Sequence, residues 1–249
     1  MITKKNVKHK LIDVSEHQGV IDWEKVQYHI DGAILRCGYG SDYANQDDKQ
    51  FRRNADECTR LGIPFGVYLY SYAKTIDRVK SEAAHSLRLI KPYKLAYPVY
   101  LDLEEPGLEE GAVIRARVFG SIIEEAGCWC GIYANLNWWE NHLSGLERFT
   151  KWVAQYYREC EYRGDHLDIW QYSDSGTIPG INGNVDMNEC YRDFPAEILG
   201  RKTVAELARE VIGGKWGNGE VRKERLTAAG YDYEEVQNKV NQIMLGGMT

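Results

Sequence analysis

Residues 65–104 read FGVYLYSYAKTIDRVKSEAAHSLRLIKPYKLAYPVYLDLE. Phe65–Tyr72 and Tyr97–Glu104 are rich in aromatic and branched residues, the composition of strands. Between them Thr75–Lys91 is amphipathic at helical spacing and is closed by Pro92, which cannot continue a helix. A strand, a helix and a second strand in this order form a right-handed crossover and predict a parallel sheet.

The same alternation extends in both directions. Upstream, Leu11–Ser15 and Ala33–Tyr39 read as strands, with helices at Trp23–His29 and at Gln46–Leu61, the latter ended by Gly62. Downstream come a helix over Gly111–Ala126, a strand over Trp129–Asn135 and a Trp-rich helical stretch to about Thr150. Helices then thin out, and Lys151–Tyr156, Leu167–Ser173 and Asn184–Asn188 look like strands joined by loops. Five βα units plus three further strands make eight, the number that closes a barrel. The fold class expected is therefore α/β, an irregular TIM-like barrel. It fits within about 195 residues, short of the ~250 of a regular eightfold barrel, so an incomplete ring of helices is expected. An open doubly wound sheet would call for a glycine phosphate loop after the first strand, and none is present.

The tail reads differently. Asp193-Phe194-Pro195 breaks the pattern, and Thr203-Val204-Ala205-Glu206 is a capping-box sequence opening a helix to Ile212. Further helices are expected near Glu220–Ala229 and from Tyr233 to about Met244, a small three-helix bundle. The division expected is a barrel over 1–197, a linker over 198–202 and a separate module over 203–249.

Composition excludes several classes. Thirty-one Lys+Arg against 37 Asp+Glu give a net charge of −6 in 249 residues. A general affinity for nucleic acid needs a basic surface, so none is expected. No apolar run approaches the ~18 residues of a membrane span, so no membrane insertion is expected. Met1–Lys10 carries four lysines, and Leu11-Ile12-Asp13 ends any apolar stretch at once, so a secretory signal is not expected and synthesis in the cytoplasm is. The six cysteines form no Cys-x-x-Cys pair, and of the six histidines only His9 and His17 lie close together. Free thiols, no metal and no cofactor are the reading.

In a barrel, chemistry collects at the carboxyl ends of the strands. Four acids fall there: Asp13 ending the first strand, Asp102 and Glu104 ending the fourth, and Asp186 in the last. Asp102 and Glu104, two residues apart, point to the same side, while Val99, Leu101 and Leu103 face the covering helices. Crowded carboxyls in an enclosed place shift apart in pKa, and one keeps its proton near neutral pH as a general acid must. Two carboxyls of unlike pKa are the usual equipment of glycoside hydrolysis. A solvated strand edge and a magnesium site are the other uses of such spacing, although no phosphate loop or basic cluster accompanies it. The chain also has 17 Tyr and 7 Trp, residues that suit sugars as well as cores. Tyr68, Tyr70 and Tyr72 share one face of the third strand. Trp138-Trp139 and Trp170-Gln171-Tyr172 offer further platforms.

At these residues the sequence resembles a known family. Asp13-Val14-Ser15 with Gln18-Gly19-Val20-Ile21-Asp22-Trp23 is similar to the opening of family 25 glycoside hydrolases, the Chalaropsis-type lysozymes, phage endolysins among them. Gly66-Val67-Tyr68, Leu101-Asp102-Leu103-Glu104, Gly131-Ile132-Tyr133-Ala134-Asn135, Trp152-Val153-Ala154-Gln155-Tyr156, Trp170-Gln171-Tyr172 and Asn184-Val185-Asp186-Met187-Asn188 follow in the family's order. The resemblance implies a β/α barrel with five helices and eight strands. It implies hydrolysis of the β-1,4 bond from N-acetylmuramic acid to N-acetylglucosamine in peptidoglycan, with peptidoglycan as the partner.

Carried over, Glu104 resembles the general acid/base and Asp102 its partner, which orients the substrate's 2-acetamido group for attack on the anomeric carbon. Asp13 and Asp186 match the remaining acids. Tyr68, Tyr70, Tyr72, Tyr133, Trp139, Gln155, Trp170 and Tyr172 are the expected substrate contacts. A direct nucleophile at Asp102 and an inverting water stay open as alternatives, as do another amino-sugar polymer such as chitin and a non-catalytic wall-binding protein. Where some members carry an acid in the second strand, this chain has Arg36-Cys37-Gly38-Tyr39-Gly40.

The tail has its own resemblance. Thr203-Val204-Ala205-Glu206-Leu207-Ala208, Gly214-Lys215-Trp216-Gly217-Asn218-Gly219 and Arg225-Leu226-Thr227-Ala228-Ala229-Gly230-Tyr231-Asp232-Tyr233 look like one copy of the cell-wall-binding repeat of certain phage lysozymes. That implies muropeptide binding at Lys215 and Trp216. Action on the wall would follow release by phage lysis or non-classical export.

Overall fold

The computed structural model describes residues 7–200, 202 and 204–246, which separate into two compact units, Met1–Ile198 and Leu199–Thr249. In the first, eight strands close in sequence order into a barrel: β1 (His9–Val14), β2 (Gly32–Tyr39), β3 (Phe65–Tyr70), β4 (Val99–Asp102), β5 (Cys130–Asn135), β6 (Thr150–Ala154), β7 (Ile169–Gly176) and β8 (Val185–Cys190). Strands β1 to β7 run parallel, and β8 is antiparallel to both β7 and β1. Five helices fill the first crossovers: α1 (Trp23–Val26), α2 (Phe51–Leu61), α3 (Ile76–Ile90), α4 (Ala112–Glu125) and α5 (Leu136–Asn141). The barrel is compact in sequence because an antiparallel closing strand needs no crossover helix, and the connection from β6 to β7 has none either.

Side-chain alternation divides the core into two shells. Val67, Leu69, Val99, Leu101, Ile132 and Val153 point outward against Val79, Ala83, Ala116, Phe119 and Ile123 of α3 and α4. Tyr100, Trp152 and their neighbours fill the barrel itself, where the Trp152 ring meets Tyr100 at 5.2 Å and Tyr133 at 4.6 Å. Gly131 makes room for this packing. A Cβ there would lie 2.2 Å from both the Tyr100 ring and Thr150 Oγ1.

Several boundaries differ from the sequence reading. Strand β1 continues only to Val14, because Ser15 turns to cap the short 3-10 turn Glu16–Gln18 with its side chain. Strand β4 ends at Asp102, so Glu104 lies in the loop beyond it. Leu103 N–H still donates to Tyr133 O at 2.9 Å, which holds the backbone beside β5 past the strand's end. Helix α5 stops at Asn141, far short of Thr150. Asp193-Phe194-Pro195 opens a helix, α6 (Phe194–Leu199), where a break was expected. Asp193 Oδ1 accepts from Ala196 N–H at 3.1 Å, and proline costs no hydrogen bond in a first turn.

The second unit holds α7 (Val204–Ile212), α8 (Gly219–Ala228) and α9 (Tyr233–Gly246) around Leu207, Val211, Leu226, Val236 and Val240. Thr203 of the expected capping box lies outside the described residues. All six cysteines are free thiols. Among the described residues, no helix is long and apolar enough to cross a membrane.

Candidate active site

At the carboxyl end of the parallel strands a cleft of about 260 Å³ is lined by Asp13, Asp102, Glu104 and Asp186 together. Asp186 reaches this end because β8 runs backwards: its first residues lie where the other strands finish, and Asp186 pairs directly with Asp13 in the β1–β8 register. Asp13 and Asp102 are buried, 4% and 3% exposed. Glu104 is half-buried.

Burial raises all four carboxyls above the ordinary range, and charge adds to it. Asp13 is lifted by desolvation and by the charge of Asp186, against hydrogen bonds from Asn188 and Gln171. Asp186 is lifted by desolvation and by the charge of Asp174, with Asp13 beside it opposing. Asp102 is lifted by desolvation, then by Glu104 and Asp13, while Arg36 opposes. Glu104 is lifted by desolvation, then by Asp186 and Glu105. Asp102 Oδ1 is buried with no hydrogen-bond partner among the described residues.

Two amides hold Asp13. Gln171 Nε2 donates to Oδ2 at 3.0 Å and Asn188 Nδ2 donates to the same oxygen at 2.8 Å. Gln171 Oε1 in turn accepts from Tyr133 Oη at 2.9 Å and Tyr156 Oη at 3.0 Å. Asn188 Oδ1 accepts from Trp152 Nε1 at 2.7 Å. Buried Tyr133 and Trp152, with the more exposed Tyr156, therefore fix the amides, and the amides fix the carboxyl.

Arg36 is the arginine of the lining. Glu16 and Asp48 hold it, with Nη2 3.1 Å from Glu16 Oε1 and Nε 2.8 Å from Asp48 Oδ2. On the β3 side, Tyr70 Oη donates to Glu105 Oε2 at 3.0 Å, and the Tyr72 ring stands 4.9 Å from Tyr70 and 6.3 Å from Tyr39.

Of the expected site residues, the cleft gathers the four acids with Tyr68, Tyr70 and Tyr133. Tyr72 lies just past β3 and is 43% exposed. Trp139 and Trp170 lie apart from the cleft, both buried in the outer shell with their indole N–H groups used internally. Trp139 Nε1 donates to Trp152 O and Trp170 Nε1 to Gln155 O. Gln155 spends its amide on Glu161, and Tyr172 packs beside Trp170 at 5.7 Å; neither lines the cleft. Sequence reasoning missed Arg36, Trp152 and Gln171 as lining residues. Period-two alternation could have found them, since Arg36 interrupts an apolar strand and Gln171 lies between two aromatic residues.

In the second unit, Glu210 accepts from Lys202 Nζ at 2.7 Å, Lys215 Nζ at 3.1 Å and Trp216 Nε1 at 3.1 Å. These contacts bring its carboxyl down to about 2, Lys202 first among the causes. Lys202, Glu210, Lys215, Trp216 and Arg225 border one open surface depression.

Comparison with known proteins agrees with this geometry. Residues 12–181 match the glycosyl hydrolases family 25, and residues 205–244 match the CW_7 repeat. The lysozyme of Streptococcus phage Cp-7 is 46% identical over 250 residues, covering 93% of this chain and 69% of that protein. The uncharacterized protein YegX of Escherichia coli K12 is 31% identical over 186 residues, 71% of this chain and 67% of its own. The modular autolysin LytC of Streptococcus pneumoniae, solved with a synthetic peptidoglycan ligand, superimposes with a TM-score of 0.66 at 32% identity over 72% of this chain. This chain spans 46% of that autolysin's length. By the barrel and its match, the chain belongs to the glycosyl hydrolases family 25, with a CW_7 repeat C-terminal to the barrel.

Proposed function

We propose that this glycoside hydrolase is an N-acetylmuramidase, cleaving the β-1,4 bond between N-acetylmuramic acid and N-acetylglucosamine in peptidoglycan. The observation that carries the reading is Glu104, half-buried and raised in pKa, beside buried Asp102 with its unpartnered Oδ1. A carboxyl that keeps its proton can protonate the glycosidic oxygen as the C1–O bond breaks. Asp102 Oδ1 accepts the hydrogen bond of the substrate's acetamido N–H and turns the acetamido oxygen toward C1. That oxygen closes on C1, so the sugar itself serves as nucleophile, a recognised exception to the two-carboxylate scheme. Glu104, now ionised, takes a proton from the water that reopens the ring and is restored. Asp13 and Asp186 complete the acid lining of the cleft beside them.

The CW_7 repeat gives the protein a second hold on the cell wall, with Lys215 and Trp216 as its contacts. A single weak site tethered to an enzyme raises the local concentration of enzyme on an insoluble polymer. The place of action is then the bacterial wall.

The test is product chemistry. Purified Gram-positive peptidoglycan is digested, the products reduced with borohydride and the new ends identified by mass spectrometry. Muramitol ends are expected. Glucosaminitol ends would move the cleaved bond, and no new ends with intact wall binding would leave a binding protein.

A further inference from the structure

Glu82 on α3 is 1% exposed and lies outside the lining of the cleft. Both its oxygens are spent on one short loop. Ser71 Oγ donates to Oε2 at 2.7 Å, and Tyr72 N–H donates to Oε1 at 2.8 Å. Ala73 N–H reaches Ser71 Oγ at 3.4 Å. The charged group facing Glu82 from the neighbouring helix is Arg115 of α4. Arg115 itself donates to Leu108 O and Glu110 O, in the loop that follows Glu104 and Glu105.

A carboxyl placed here is expensive. An apolar side chain of similar volume would pack between α3 and the barrel without a desolvation cost. The segment it braces explains its presence. Ser71–Ala73 follows Tyr70, a lining residue bonded to Glu105, and carries Tyr72, whose exposed ring completes an aromatic edge with Tyr70 and Tyr39. A loop at a strand end is free to move unless its backbone is tied, and a sugar platform is useful only when its rings are held in place.

We propose that Glu82 is a positioning residue for the glycan: by fixing the backbone of Ser71–Ala73 it holds the Tyr70 and Tyr72 rings at the edge of the cleft, against a sugar next to the cut bond. This rests on the reading of the protein as a peptidoglycan hydrolase whose glycan crosses that edge.

The experiment compares Glu82→Leu, Glu82→Gln and Tyr72→Ala with wild type on solubilised uncrosslinked glycan chains, reading KM and kcat separately, with near-UV circular dichroism to confirm folding. Glu82→Leu is expected to raise KM about tenfold, the effect of losing two hydrogen bonds to one loop, with kcat changed by less than about twofold. Glu82→Gln is expected to restore the wild-type KM, because its amide can accept from Tyr72 N–H and donate to Ser71 Oγ. Tyr72→Ala is expected to match Glu82→Leu. If Glu82→Leu does not fold, Ser71→Ala removes one tie and is expected to raise KM about threefold.

An unchanged KM in folded Glu82→Leu, with Tyr72→Ala impaired, would overturn the role of Glu82 alone. An unchanged KM in Tyr72→Ala would overturn the aromatic edge and the proposal with it. Equal loss of kcat in Glu82→Gln and Glu82→Leu would make the carboxyl a participant in the chemistry instead. Failure of wild type to release new reducing ends would overturn the underlying enzymatic reading.

Discussion

Asp13 and Asp186 face each other directly across the antiparallel β1–β8 ladder, and the charge of Asp186 adds to burial in raising Asp13. Burial raises both above the ordinary carboxylate range, so the folded protein binds protons that the unfolded chain has released. Stability from this pair is therefore present at low pH and is lost as pH rises through the raised values. Asp186→Asn removes the repulsion and keeps a hydrogen-bonding side chain. At pH 7 its Tm is expected to exceed wild type by about 2–4 °C, a gain of about 1 kcal/mol, with a flatter dependence on pH and at least about tenfold lower activity. Calorimetry from pH 4 to 8 checks this; parallel curves for the two proteins would refute it.

Glu104→Gln keeps the shape of the side chain and removes its transferable proton. Turnover is expected to fall by about 10²–10⁴-fold with the melting temperature nearly unchanged. Because burial raises the Glu104 carboxyl, the alkaline limb of kcat/KM in wild type should lie above the ordinary glutamate range. A pH–rate profile on solubilised glycan locates it, and a limb at the value of a solvated glutamate would contradict the assignment.

Gln171 connects Tyr133 and Tyr156 to Asp13. Gln171→Leu preserves bulk but leaves the buried Tyr133 phenol and one Asp13 oxygen short of a partner. Destabilisation of about 2–3 kcal/mol is expected, by urea unfolding, from buried groups left unsatisfied. Losing the donor also lets Asp13 rise further, since that hydrogen bond holds it down.

Leu226 is fully buried in the small three-helix unit. Leu226→Ala is expected to cost about 2–5 kcal/mol, enough to melt a unit of this size. Co-sedimentation with whole walls should fall, while turnover of soluble fragments stays within about twofold of wild type. Equal losses in both assays would assign the unit a structural role.

Glu82 supplies a pH signature separate from its effect on KM. Burial raises it to about 7, with Arg115 and the Ser71 and Tyr72 hydrogen bonds opposing. Its folded pKa lies above the unfolded one, so its stability contribution is present at acid pH and is lost as pH climbs past about 7. Glu82→Gln does not titrate. It is expected to be more stable than wild type at pH 8 by up to about 3 kcal/mol, and to match it near pH 4, in urea titrations.

The alternation of 65–104 carried the barrel, because period-two and helical spacings are local properties that packing amplifies. Eight strands and the shared face of Asp102 and Glu104 could be read in the same way. Trp139 and Trp170 could not. An aromatic residue reads alike whether its strand faces the barrel, the helices or a sugar, and only closure decides which side is which.

The sequence by itself therefore determined the order of elements, the family, the identity of the four acids and the separate tail. The tertiary structure alone decided that β8 runs backwards, because the antiparallel ladder depends on which edge is left when seven parallel strands have curled round. That one decision brings Asp186 and Asn188 of β8 to Asp13, distant in sequence, where Gln171 of β7 meets the same carboxyl. Local spacing cannot encode such a meeting, because loop closure and burial set it, and burial then raises the carboxyls gathered there.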